Sequence, residues 1–397
     1  MQFVVHKSLF STELHYLYDI DSKLGQFITD IPADAWVIGS DKVVRSIDMF
    51  AQLIREDFTA IPSLQFKIFE SLGVNTNVPW QLAMPKEHFR AHLVSTLDSA
   101  RCILNNGYRH YYETIFITSR EFLESLSGLY VNRQLLNRHL ETEQSHSVIS
   151  ALTTCIPDEC GITRPVMYDL VNSKTGRFTV RSGPHVLTLK RQYRDIFVSE
   201  WPDGCIVPID YKSLEARIAL ALGGQTGIAN DPYQCIADKT GVERDIAKKA
   251  MLSIMFGSSM QNVADITKLT QLEVAFLVAH IKDSIVYDAT VERLQNEYAE
   301  TGRIHNFYGR PLWPGTDAGH VLYNNYIQST GVDVVMLGFS KMVQHIKQKE
   351  FLIRPKFIVH DCLYIDIHRE YNLYIEELQS VGSMIPDIDA YFYSSLQ

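Results

Sequence analysis

Cys205-Ile206-Val207-Pro208-Ile209-Asp210-Tyr211 and, far downstream, Lys356-Phe357-Ile358-Val359-His360-Asp361-Cys362-Leu363-Tyr364-Ile365-Asp366-Ile367 decide how this chain is read. The first is a short apolar run ending on an acid, the pattern of a buried strand with its carboxylate at the edge. The second reads as two strands meeting at His360-Asp361, which predicts Asp361 at a hairpin tip. An acid at a strand end faces a cleft. Between the two stretches, Leu214 to Leu222 has helical spacing, and Arg244 to Phe256 runs without Gly or Pro to a stop at Gly257.

A single Asp at a strand end is more often a cap or a hairpin residue than a ligand. The helix between the two acids raises the chemical reading, because Arg244, Lys248, Leu252 and Phe256 recur every four residues and share one face. Two cations and a ring in one stripe, flanked by carboxylates able to hold divalent metal, match the needs of a nucleoside triphosphate. A surface ion-pair helix with a core-facing Phe256 is the plainer alternative.

The bulk properties bound these readings. With 397 residues, 46% hydrophobic and 21% charged, the chain has the composition of a soluble globular protein of two or three domains. Apolar runs such as Val334-Val335-Met336-Leu337 are far below the ~20 residues of a membrane span, and the first residues resemble neither a secretory nor a transit peptide, so a cytoplasmic location is expected. The cysteines at 102, 155, 160, 205, 235 and 362 form no CxxC pair, so neither a zinc ribbon nor a disulfide framework is indicated and they read as mostly buried thiols. A net charge of −9 argues against a nucleic-acid partner, but Lys174, Arg177, Arg181, Lys190, Arg191 and Arg194 form a basic stretch without one acid. No repeat or low-complexity tract is present, which weakens scaffold readings.

Asp210-Tyr211-Lys212-Ser213-Leu214-Glu215-Ala216-Arg217 resembles motif A of the family A DNA polymerases, the group of bacterial DNA polymerase I and many phage replicases. Arg244-Asp245-Ile246-Ala247-Lys248 through Phe256-Gly257 resembles motif B, and Val359-His360-Asp361 resembles motif C. Thr175-Gly176-Arg177, Gly302-Arg303, Tyr308-Gly309-Arg310 and a helix with Asn324 and Gln328 ahead of Asp333 extend the likeness over roughly residues 113 to 370.

The resemblance implies a template-directed DNA polymerase working on primer-template DNA and dNTPs with two Mg2+ ions, Mn2+ being an alternative. Position by position, it assigns Asp210, Asp361 and the carbonyl of Tyr211 to the metals, and Asp210, Asp361 and Lys248 to catalysis. Tyr211, Glu215, Arg244, Lys248, Leu252 and Phe256 go to the nucleotide, with Glu215 blocking a 2′-hydroxyl. Arg177, Arg194, Arg217, Asn324, Gln328 and His360 go to DNA, Asn324 and Gln328 facing the minor-groove acceptors that every correct pair presents.

The chain also departs from the family. Cys362 replaces a common Glu, Phe256 a common Tyr, and Leu252 a common Phe or Tyr, which bears on sugar discrimination. No Asp-x-Glu pair occurs in residues 1 to 110, so no proofreading site is visible there.

The expected fold class is α+β, a right hand with an antiparallel palm sheet. Its parts are an N-terminal region of unknown role (1–110), a degenerate exonuclease or clamp-like piece; a reduced thumb and linker (111–165); palm (166–225 and 306–397); and helical fingers (226–305). The short thumb implies a clamp from residues 1 to 110 or a processivity partner, in a phage or plasmid setting. Two rivals stand: a ribonucleotide-tolerant or RNA-synthesising polymerase, and a non-catalytic DNA-binding replication protein with the same fold.

Overall fold

The computed structural model describes residues 2–9, 13–19, 21–40, 43–55, 71, 73, 85–105, 107–225, 231–383 and 392–394. These fall into two units, Met1–Ile117 and Thr118–Gln397, so the division lies inside a helical run that includes Tyr112–Phe116 and Ile117–Glu124. In the sequence Asn75-Thr76-Asn77 is a turn signal, and it lies outside the described residues.

The first unit is built on β1 (Gln2–Val5), β2 (His15–Asp19), β3 (Leu24–Ile28) and β4 (Trp36–Ile38), in the order β3-β2-β1-β4. β1 runs antiparallel to β2 and parallel to β4. Strand alternation sends Phe3, Val5, Trp36 and Ile38 to one face, where Trp36 and Phe50 of α1 (Ile47–Ile54) meet the ring of Tyr112 at 5.1 and 4.1 Å. Ser46 joins the pieces: its side chain accepts from Met49 N as the cap of α1, and its carbonyl accepts from Tyr112 Oη at 2.6 Å. A longer helix, α2 (Lys86–Leu104), follows.

The second unit holds an antiparallel sheet of β5 (Cys205–Tyr211), β6 (Ile353–Val359), β7 (Cys362–Ile367) and β8 (Phe392–Ser394), in the order β6-β7-β5-β8. The central strands are fully apolar or nearly so, as strands covered on both faces should be. On one face Phe357, Val359 and Tyr364 pack against α3 (Arg133–Thr142) and α4 (His146–Thr153) through Leu136, Val148 and Leu152. On the other face lies α11 (Gly319–Lys349), a 31-residue helix buried along most of its length.

Between β5 and α11 in the chain come α5 (Leu214–Leu222), α6 (Pro232–Thr240), α7 (Arg244–Met255), α8 (Met260–Thr267), α9 (Gln271–Ser284) and α10 (Tyr287–Thr301). Their ends follow local rules: Asp231 caps α6 with Pro232 behind it, Thr270 and Glu273 form a capping box on α9, and Gly241 and Gly302 end helices in the left-handed conformation. After α11, α12 (Ile375–Ser383) packs back on it. No helix among the described residues is long and apolar enough to cross a membrane.

One close approach sets the distance between sheet and helix. Tyr211 points from β5 into α11, its ring 5.7 Å from that of Phe339, at the place where α11 carries Gly338. A Cβ at 338 would lie 1.8 Å from Tyr211 Oη and 3.1 Å from Cζ. Gly338→Ala is therefore expected to destabilise the chain by about 1–3 kcal/mol, read as a lower denaturation midpoint. Adding Tyr211→Phe removes the nearer atom and should restore part of the loss; additive effects of the two changes would contradict this packing.

Candidate active site

The register of β5 against β7 places Cys362 opposite Asp210, and the β6–β7 turn consists of His360 and Asp361. Both sequence-predicted carboxylates therefore meet at one end of the sheet, where Tyr211 N donates to the Asp361 carbonyl at 3.3 Å. Strand alternation then separates the neighbours: Asp210 shares its face with Cys362, while Tyr211 goes to the α11 side, leaving its backbone at the site.

Two residues beside these acids hold left-handed backbones without being glycine. His360, with φ 57°, makes the tight hairpin, and Ser213, also with φ 57°, turns the chain from β5 into α5. Each such residue costs about 1–3 kcal/mol, a strain that clusters at functional sites. The Ser213 turn brings Glu215, in the first turn of α5, to the same place, where it pairs with Arg177 at 3.1 Å.

Electrostatics sets this end of the sheet apart. Burial, with the Asp361 carboxylate nearby, pushes Asp210 up to about 7. Burial also raises Asp361 and, against the pull of the Arg177 guanidinium, Glu215. Asp210 Oδ1 is buried and has no hydrogen-bond partner. Two partly buried carboxylates, one with an unsatisfied oxygen, suit a divalent cation, which would remove the cost of ionising both. No cluster of three His, Cys, Asp or Glu side chains able to hold a metal occurs among the described residues, so protein ligands beyond these two acids would be backbone, chiefly the Tyr211 carbonyl.

A cleft of about 640 Å3 opens over this corner, lined among others by Arg177, Glu215, Leu252, Gln328, His360 and Asp361. Gln328 is 7% exposed there, and a buried network holds its helix: Asn306 Nδ2 donates to Ser329 Oγ at 3.1 Å and to Asp333 at 2.6 Å, and Arg310 pairs with Asp333 at 3.4 Å. Gly176 permits this, since a Cβ there would sit 2.9 Å from Ser329 Oγ and 3.0 Å from Arg310 Cζ. The sequence signalled Gly176, Arg310 and Asp333 by resemblance alone; Asn306 gave no signal.

The other residues named from sequence fall elsewhere. Lys248 and Arg244 lie over the ring of Tyr233, at 5.7 and 5.5 Å, and Tyr233 itself lines the cleft. Phe256 ends α7 and is 46% exposed. Asn324 is half-buried one turn before Gln328 and does not line the cleft. Arg194 donates to Tyr364 Oη at 2.7 Å and to the Leu189 carbonyl, which ties it to the sheet. Arg217 is 1% exposed, with Nε donating to the Lys212 carbonyl at 2.7 Å, so its guanidinium has no surface to offer DNA and braces the β5–α5 turn instead. Tyr233 and Asp231 were missed, although Asp-Pro before a helical run signals a helix start.

No protein-family model matches the chain, and no curated protein does. Among solved structures, the chain is similar to a polymerase domain: it has the family A DNA polymerase fold. The neighbour is the POL domain of Pol1 from M. smegmatis, solved in complex with DNA primer-template and dNTP. The match has a TM-score of 0.70 and 13% sequence identity, over 100% of this chain and 95% of that chain. The likeness extends past the motifs to the first 110 residues, which the sequence motifs had left outside.

A carboxyl that ionises later in the folded chain than in the unfolded one favours folding below about pH 4 and loses that advantage as pH rises through about 7. In chelator, Asp210→Asn should therefore be more stable than the parent at pH 8, by about 1–2 kcal/mol after solvent screening. The difference should vanish near pH 4. Denaturant titrations at the two pH values check this, and equal stabilities at pH 8 would refute it.

Proposed function

We propose that this chain is a template-directed DNA polymerase that adds deoxynucleotides to a primer 3′ end. The observation that carries the reading is the meeting of Asp210 and Asp361, partly buried and with raised ionisation, at one end of the sheet, beside a cleft lined by Asp361 and by Tyr233, the ring that lies under the Arg244 and Lys248 cations. In this reading 166–225 and 306–397 are the palm, 226–305 the fingers, and 111–165 a small thumb. The thumb reading draws support from α3 and α4, helices of 10 and 8 residues packed down on the sheet.

Asp210, Asp361 and the Tyr211 carbonyl would hold divalent cations, Mg2+ by their hard oxygen chemistry, which when bound would supply charge stabilisation and activation of the primer hydroxyl. Arg244 and Lys248 bind the triphosphate, and Lys248 is the donor placed for the leaving group. Arg177, His360 and Gln328 border the nascent pair, with Gln328 kept in one orientation by its buried neighbours. The exposed Lys174, Arg181, His185, Lys190 and Arg191 form the positive surface for DNA backbone.

Glu215 favours DNA over RNA synthesis, because its carboxylate projects into the cleft and is held by Arg177. Primer extension with each nucleotide set tests both the activity and this preference. Asp210→Ala and Asp361→Ala should each lower extension about 10³-fold or more while primer-template binding persists; activity within tenfold of the parent would overturn the assignment. Glu215→Ala should raise kcat/KM for a ribonucleotide relative to the matching deoxynucleotide, and an unchanged ratio would remove the sugar role.

A further inference from the structure

The two oxygens of Asp231 serve two helices. Oδ1 accepts from Tyr233 N at 3.0 Å and Gln234 N at 3.3 Å, the capping bonds of α6, while Oδ2 accepts from Arg244 Nε at 2.6 Å across the gap to α7. The Tyr233 backbone is thus fixed by the same carboxylate that fixes the Arg244 guanidinium. The Tyr233 ring, 4% exposed, lies under both Arg244 and Lys248. One side chain thereby holds Arg244 directly and anchors the residue whose ring lies under both Arg244 and Lys248.

We propose that Asp231 is a positioning residue for the triphosphate subsite, holding Arg244 and the Tyr233 platform so that the α7 cations face the phosphates already ordered. The proposal rests on the polymerase reading above. Two effects oppose each other at this site. The Asp231 charge repels an incoming phosphate, but it is compensated by Arg244 and by the α6 N-terminus. Against that, an arginine side chain released from its partner has among the largest rotamer freedoms to lose on binding. Asp231 holds Nε, and Nη1 meets the exposed carboxylate of Asp245 at 3.3 Å, which leaves Nη2 for phosphate oxygens. Ordering is the larger effect, so loss of the Asp231 charge weakens nucleotide binding.

The experiment uses the full chain as parent, Asp231→Asn, Arg244→Ala and the double variant, in single-nucleotide primer extension. Asn caps helices as well as Asp, so Asp231→Asn keeps α6 through its oxygen while its NH2 replaces the acceptor and the charge that faced Arg244 Nε. Asp231→Asn is expected to raise KM for the dNTP about tenfold with kcat within about threefold and an unchanged melting temperature. Asp231→Glu, which keeps the charge, should recover part of the loss. The double variant should be no worse than Arg244→Ala alone. A parent-like KM in Asp231→Asn, or losses that multiply in the double variant, overturns the proposal. A parent that extends no primer overturns the function instead, and the same four proteins titrated with dNTP without turnover then decide the role of Asp231. Non-multiplying losses of affinity support the role; a parent that binds no dNTP ends both readings.

Discussion

Everything at the functional end of this chain depends on one antiparallel register. Strands pair with a period of two, so sliding β5 by one residue against β7 would exchange the two faces of the whole strand. Asp210 would then enter the packing against α11, and the Tyr211 ring would enter the cleft. The register is held from the α11 side, where Val207 and Ile209 are fully buried and the Tyr211 ring of the same face is seated in the gap that Gly338 leaves. The acids are thus placed by apolar packing, which explains how two carboxylates that repel each other are kept together without a neutralising side chain between them.

The charges that are neutralised lie further back. Asp333 is 1% exposed beside Arg310, and Lys356, also 1% exposed, is shared by Glu200 at 3.1 Å and Asp366 at 3.6 Å. Breaking a buried pair typically costs about 3–5 kcal/mol, so these groups fix where β6, β7 and α11 lie. Among the described residues, Asp210 and Asp361 have no such ion pair, while Glu215 has the exposed Arg177. The buried ion pairs thus lie apart from the two acids at the end of the sheet.

How much of this could be read from the sequence follows the range of the interactions involved. The hairpin at His360-Asp361, the helices over Leu214–Leu222 and Arg244–Met255, and the strand ending at Tyr211 all rest on local pattern, and each was legible. The cation stripe of α7 was legible for the same reason, since a period of four is visible in the chain. What was not legible depends on partners distant in sequence. Nothing local distinguishes Arg217, buried on a backbone carbonyl, from Arg177, exposed at the cleft. Asn306 gains its meaning only when α11 brings Ser329 and Asp333 to it. The first unit was opaque because its strands run only three to five residues, too short for a period to declare itself.

Where the end of α7 meets the start of α11, only α11 supplies a side chain. Gly257 has φ 80°, and any Cβ there would stand 2.5 Å from the His320 side chain, so bare backbone rests on an imidazole. Most contacts between helices can be graded over generations, a methyl group at a time. This one has a single permitted setting on the α7 side, and all adjustment must come from residue 320. The spacing of the two helices is therefore set from the α7 side, and the helix carrying the cations and the helix carrying Gln328 must both be fitted to it.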